Sequence, residues 1–320
     1  MAAVAVLGMV ATACGGGGGT GSAQAPDITP TTAAGPTALR VAYVPATTVL
    51  PLHVAHVQGI FARNNLEVTL EQAANISEVP ATLGRQFDIA LGTATDLIRA
   101  GGAGIDVVQV AGNTVSSAAN PFVQVIVSAD SGIVDVTGLR GKTIGSPTLS
   151  GVIHAGVQFW AKKTGVDPSS IGGVEVPSPN LPDQLKAGRV DAVQALEPFA
   201  SQLKRDGFVS IGDPFSQIAD PLATNFWIAQ GTWARANTDA IGRFVASLRE
   251  AQRFIEQNPA DARQVLQGYT GMPAPVAASV PLPTYDFEVR ARDLATWVTV
   301  LKDIGQFGGT VDPAKLVLAS

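Results

Sequence analysis

The chain of 320 residues carries one cysteine, Cys14, and three histidines. Without a second thiol no internal disulfide can form, so the shape must be held by packing alone. Also missing are a G-x-S-x-G elbow, an H-E-x-x-H pair, a metal-spaced histidine cluster and a phosphate-binding P-loop, which removes the commonest nucleophilic, zinc and nucleotide chemistries. Charge is scarce. Only 15% of residues are charged and the formal net charge is −5, so there is no basic patch to hold nucleic acid or an anionic membrane surface. No cofactor or metal is implied.

What is present is apolar. With 46% hydrophobic residues the body is globular and not disordered, and 320 residues favour two domains over a single core. Residues from Ala2 to Met9 are small or apolar, and Val10-Ala11-Thr12-Ala13 leads into Cys14 and then Gly15-Gly16-Gly17-Gly18-Gly19. This is how a bacterial lipoprotein leader is arranged. Residues 1–13 are expected to be removed and the Cys14 thiol lipidated, anchoring the protein to the outer face of the cell membrane. The apolar run falls short of the roughly 20 residues that span a bilayer. A free thiol in an ordinary leader is the alternative. Residues 14–38, rich in Gly, Thr, Ala, Pro and Ser with Asp27 as their one charge, read as a flexible tether.

From Leu39 strands and helices alternate. Leu39–Val44 is an alternating strand, Leu52–Asn64 a helix, Leu66–Leu70 a strand, Val79–Gly84 helical, Phe87–Leu91 a buried strand, Thr95–Ala100 a helix and Ile105–Val110 a strand. After the β run Phe122–Val127 the pattern restarts: strand Thr143–Gly145, helix Ser150–Thr164, strand Gly173–Val176, helix Leu181–Ala187, strand Ala192–Leu196 and helix Pro198–Arg205. An extended return, Leu222–Gln230, precedes a mostly helical end. Short helices between strands predict parallel, doubly wound sheets. Two α/β lobes joined by extended segments are therefore expected: residues 39–122 and 223–320 in lobe 1, and 123–222 in lobe 2. Ligands in such sheets sit at the carboxyl ends of the strands, so two facing sheets make a cleft.

Several stretches, taken in order, resemble a known family. Pro51-Leu52-His53-Val54-Ala55-His56-Val57-Gln58-Gly59-Ile60-Phe61 followed by Asn65-Leu66-Glu67-Val68 is similar to the opening of the nitrate, sulfonate, taurine and thiamine-precursor binding proteins of ABC importers. Gly84-Arg85-Gln86-Phe87-Asp88-Ile89-Ala90, Leu139-Arg140-Gly141-Lys142-Thr143-Ile144-Gly145, Gly188-Arg189-Val190-Asp191-Ala192 with Glu197-Pro198-Phe199, and Asn258-Pro259-Ala260-Asp261-Ala262 resemble later motifs of that family in the expected sequence. The resemblance implies a type II periplasmic-binding-protein fold with a two-segment hinge. It further implies a monomeric, non-enzymatic protein that captures a small solute and delivers it to an ABC permease and its ATPase. A ligand sensor without transport is the alternative. So, more remotely, is an enzyme like the family's pyrimidine synthases, whose cysteine-rich motif is absent here.

Candidate ligand contacts fall on the loops at strand ends. Thr47 and Thr48 follow the first strand, with Tyr43 at its end, and Thr93 and Thr95 follow the strand at Leu91; each threonine contacts a ligand or caps a helix, and Asp96 is open to the same two roles. Ser146, Thr148 and Ser150 join a strand to a helix, where free N–H groups and the dipole suit an anion. Glu197 faces the cleft or braces the hinge. Asn120, Asn225 and Trp227 lie on the crossing segments, Trp227 as a stacking face or a hinge-packing ring. None of these loops carries Lys or Arg, so the expected solute has at most one negative charge: a sulfonate or carboxylate, or a pyrimidine-like ring.

Overall fold

The computed structural model describes residues 35–73 and 76–318, and Pro36 onward forms one compact unit. The expected leader, Cys14 and nearly all of the tether lie outside the described residues. Among the described residues no helix is long and apolar enough to cross a membrane.

The chain begins with β1 (Thr37–Tyr43), α1 (Leu50–Val57), α2 (Ile60–Arg63), β2 (Leu66–Gln72), β3 (Ile89–Thr93), α3 (Ala94–Gly102) and β4 (Val107–Ser116). It crosses to β5 (Val123–Val127), then β6 (Thr143–Ser146), α4 (Val152–Lys163), β7 (Gly172–Glu175), α5 (Leu181–Lys186), β8 (Ala192–Leu196), α6 (Phe199–Arg205) and β9 (Val209–Gly212). The return is β10 (Leu222–Gln230), followed by α7 (Gly231–Ala236), α8 (Thr238–Gln257), α9 (Pro259–Thr270), α10 (Ala274–Ser279), β11 (Thr284–Tyr285) and α11 (Ala291–Asp303). Where a helix was expected over Val79–Gly84 there is a 3-10 turn over Ile76–Ala81, because Pro80 cannot continue an α-helix.

Two sheets result, ordered β11-β4-β10-β3-β1-β2 and β7-β6-β8-β5-β9. The expected parallel strands are present in both sheets, together with antiparallel ones. β1, β2 and β3 are parallel, as are β6, β7 and β8, but β10 is antiparallel to both its neighbours and so is β5. Geometry requires this. The parallel strands end where the lobes face each other, so a strand arriving from the opposite lobe enters at that end and must run away from it.

The far ends of the strands are pinned by matching aspartates. Asp88 accepts from the Arg40 backbone N–H at 2.8 Å and from its guanidinium at 2.8 Å, while the Asp88 N–H donates to the Arg40 carbonyl. Asp191 repeats the device in the second sheet, accepting from the Thr143 N–H at 2.8 Å and donating its own N–H back to the Thr143 carbonyl. Each carboxylate fixes the register of adjacent strands through charge-assisted bonds. These are the aspartates of two of the motifs that carry the family resemblance. They secure the frame at the ends away from the cleft.

Apolar packing follows the same plan. One cluster, including Leu50, Leu52, Phe61, Trp227 and Phe244, fills the space between the first sheet and α1, α2 and α8. Two smaller clusters cover the faces of the second sheet. A fourth joins residues of both lobes, among them Val123, Val152, Ile153, Phe215, Phe226 and Trp297.

Candidate functional site

A cavity of about 250 Å³ lies between the two sheets. Its lining comes from the segments that follow β1, β3, β6 and β8, from both crossing strands and from the prolines Pro281 and Pro283. Of the candidate contacts, Thr47, Thr48, Thr93, Asn120, Thr148, Glu197 and Asn225 line it, together with Asp96. Apart from Ser77 the remaining wall is apolar, including Val44, Ile76, Leu91, Phe122, Val152, Ile153 and Leu196.

The other candidates are placed elsewhere. Trp227 is fully buried with its ring edge-on to Phe244 at 5.5 Å and does not line the cavity. Thr95 is fully buried, its hydroxyl 2.9 Å from that of Thr93. Ser146 donates its hydroxyl to the Thr148 carbonyl at 2.9 Å, closing the turn that presents Thr148. Ser150 is exposed, 3.3 Å from the Thr148 hydroxyl. Tyr43 packs edge-on against His53 at 4.7 Å, behind the loop it precedes. One amide of the expected anion seat is already used by this chain: the Leu149 N–H donates to Glu175 at 2.8 Å.

The first loop is held from behind. Tyr269 donates its hydroxyl to the Ala46 carbonyl at 2.7 Å, Tyr285 to the Thr47 carbonyl at 2.8 Å, and Asn113 Nδ2 to the Thr48 carbonyl at 3.1 Å. Three consecutive carbonyls thus turn inward, and neither helix start in this loop is capped by a side chain. The threonines Thr47 and Thr48 therefore reach the cavity without serving as caps. Burial raises the hydroxyl pKa of both tyrosines, keeping them protonated donors. His53 stacks on Tyr269 at 3.7 Å, and desolvation, with a smaller contribution from His56, lowers its imidazole pKa to about 4. It is a neutral spacer in the brace, outside the cavity wall. Tyr269, Tyr285 and Asn113 escaped sequence reasoning because they lie far along the chain from the loop they hold.

On the opposite side of the same lobe, Thr93 is both cap and lining. Its hydroxyl accepts from the Asp96 N–H at 3.4 Å and donates to the Asp96 carboxylate at 2.6 Å. Capping the helix does not take Thr93 out of the cavity wall. Asn225 is 7% exposed and accepts at Oδ1 from the hydroxyls of Thr114 and Thr224, at 3.1 and 3.2 Å. Asn120 is fixed by bonds to the Leu282 carbonyl at 2.9 Å and the Thr284 hydroxyl at 3.2 Å. Glu197 accepts from the Ser201 N–H at 3.2 Å. No Lys or Arg lines this cavity, and among the described residues no group of side chains could hold a metal ion.

Two α/β sheets, each entered by a reversed strand where the chain crosses, and a solute-sized space between their carboxyl ends define the type II periplasmic-binding-protein fold. The solved structure of the periplasmic aliphatic sulphonate binding protein SsuA from Escherichia coli shares it, with a TM-score of 0.75 and 19% identity over 88% of this chain and 97% of that one. The chain belongs to the NMT1/THI5-like family, whose model matches residues 46–262. It is also similar to a protein of Brachyspira hyodysenteriae described as an ABC transporter periplasmic binding protein, at 25% identity over 46% of each chain. A protein of Bacillus subtilis described as the binding protein YtlA is 24% identical over 66% of this chain and 63% of its own length. The chain thus spans less than two thirds of the curated relatives it matches.

Proposed function

We propose that the protein is an extracytoplasmic solute-binding lipoprotein: it captures a small organic molecule between its lobes and delivers it to the permease and ATPase of an ABC importer, as a monomer held to the membrane by lipid on Cys14. The observation that carries the reading is the convergence of hydroxyls, amides and carboxylates from both lobes on one apolar-walled cavity of about 250 Å³. That combination suits a small molecule, since the apolar walls supply affinity and the few fixed polar groups supply orientation. The kinship with a protein described as an ABC transporter periplasmic binding protein supports delivery to a permease. Closure of the lobes would favour the ligand-bound form and present a changed surface to that permease. Residues 39–122 and 223–320 would move as one lobe against 123–222.

The proposed contacts are Thr47, Thr48, Thr93, Asn120, Thr148, Glu197 and Asn225. Of the solute chemistries open from the sequence, a pyrimidine-like ring fits this lining better than a sulfonate or carboxylate, because the walls are apolar and no cationic side chain is among them. Native mass spectrometry of the protein as purified, with a melting-temperature screen, tests the reading. The expected result is a retained small molecule that is lost, together with every ligand-induced shift, in a Val152→Trp variant that fills the cavity. A broad screen without any shift and an empty mass spectrum would reject it.

A further inference from the structure

Resting on that solute-binding reading, we infer that the solute is a monocation, a small protonated nitrogen base with an apolar body. The charged side chains lining the cavity are Asp96 and Glu197, one from each lobe. No arginine or lysine side chain lines the cavity beside them. Arg99 donates to the Ser150 carbonyl and to Gln306, and Arg189 is exposed.

Both carboxylates are half-buried and oriented by the protein through one oxygen only. Asp96 receives the Thr93 hydroxyl at Oδ2, and Glu197 receives the Ser201 N–H at Oε2. Asp96 Oδ1 and Glu197 Oε1 therefore remain as acceptors on two residues that line the cavity. A third group is independent of these two. Asn225 is 7% exposed and spends both of its hydrogen bonds at Oδ1, leaving the Nδ2 amide at the cavity without a protein partner. That amide is free to bond an acceptor on a ligand.

Charge decides the rest. Closing the lobes on a sulfonate or carboxylate would place a third negative group beside two carboxylates in a space whose dielectric falls as water leaves. A protonated nitrogen in the same place would instead form charge-assisted bonds to Asp96 and Glu197, while the Asn225 amide bonds an acceptor on its frame. The site is built to reject the charge that an anion-binding relative would accept.

Matched probes test this. Benzylammonium, benzyl alcohol and benzenesulfonate form one set, and cyclohexylmethylammonium, cyclohexylmethanol and cyclohexanesulfonate a second. Each is titrated calorimetrically into the full chain. The ammonium member of each set is expected to bind tightest, by about tenfold or more over the alcohol. Asp96→Asn and Glu197→Gln should each shrink the ammonium-over-alcohol margin by more than they change alcohol binding. If the sulfonate binds tightest, or the three members bind alike, the charge assignment is overturned while solute capture still stands. Binding of none of the six overturns the charge assignment, and the mass of any retained molecule then decides separately whether the cavity holds a solute at all.

Discussion

The hydroxyl of Tyr285 donates to the carbonyl oxygen of Thr47 at 2.8 Å across 238 positions of sequence. Tyr285 sits on the two-residue edge strand β11, and Thr47 at the loop that opens the cavity. Removing the hydroxyl leaves a buried carbonyl without a donor, so Tyr285→Phe is expected to cost about 1–3 kcal/mol in urea denaturation. Solute affinity should fall with it, because Thr47 loses its fixed position. A variant as stable as the parent would show that the bond is incidental.

The His53 imidazole makes stability depend on pH. Its folded pKa of about 4 lies below the ordinary imidazole value of 6.5, so the unfolded chain binds more protons between those values. Stability from this group is therefore intact above about pH 6.5 and declines as pH falls toward 4, by up to roughly 3 kcal/mol. Burial pushes His154 in the same direction, so a single-site comparison is needed. In His53→Phe, which keeps the ring stack and removes an Nε2 atom buried without a partner, the advantage over wild type should grow as pH drops from 7 to 5. Parallel urea curves at the two pH values measure it. An advantage independent of pH would contradict the assignment.

The frame was more legible in the sequence than the site, for a physical reason. Register-setting residues such as Asp88 and Asp191 act on neighbouring strands through a motif that repeats, and apolar periodicity marks the strands they pin. Segments at the ends of β1, β3, β6 and β8 could be located, and most of the candidate threonines and asparagines on them do line the cavity. What local pattern cannot convey is which way each side chain turns. Trp227 and Asn225 sit two residues apart on β10 and pair in unbroken register with Leu91 and Thr93 of β3, which puts them on one face, yet only Asn225 lines the cavity while Trp227 packs against Phe244. Short elements such as β9 and β11 carry too few residues to show a period. The tyrosine brace depends on contacts across more than two hundred residues and leaves no local trace.

Anchoring at Cys14 has its own test. Cys14→Ala should move the protein from the membrane fraction to the soluble fraction while leaving solute binding unchanged. Unaltered fractionation would refute lipidation at this thiol, whatever the cavity binds.

Where the chain crosses between sheets, Phe122 on the outgoing segment stacks on Phe215 of the returning one, with ring centroids 6.0 Å apart and planes 6° from parallel. Trp297 of α11 closes on Phe215 edge-on at 5.6 Å and donates its indole N–H to the Ala223 carbonyl at 2.8 Å. Phe215 is fully buried, and Gly156 of α4 leaves room for its ring, since a Cβ there would lie 2.9 Å from it. The two crossings thus share one aromatic contact that also touches both lobes. Phe215→Ala opens a cavity in that contact and should cost about 3–5 kcal/mol in urea denaturation, whereas Phe215→Leu, which refills much of the volume, should cost less. If lobe closure turns on these crossings, the Leu variant should also weaken solute binding while the cavity lining is unchanged. The variant's loss of affinity should then exceed that of an equally destabilising substitution in the cluster behind α8, such as Leu248→Val, which faces neither crossing. Equal losses from the two sites would mean that stability alone, and not the hinge, governs binding.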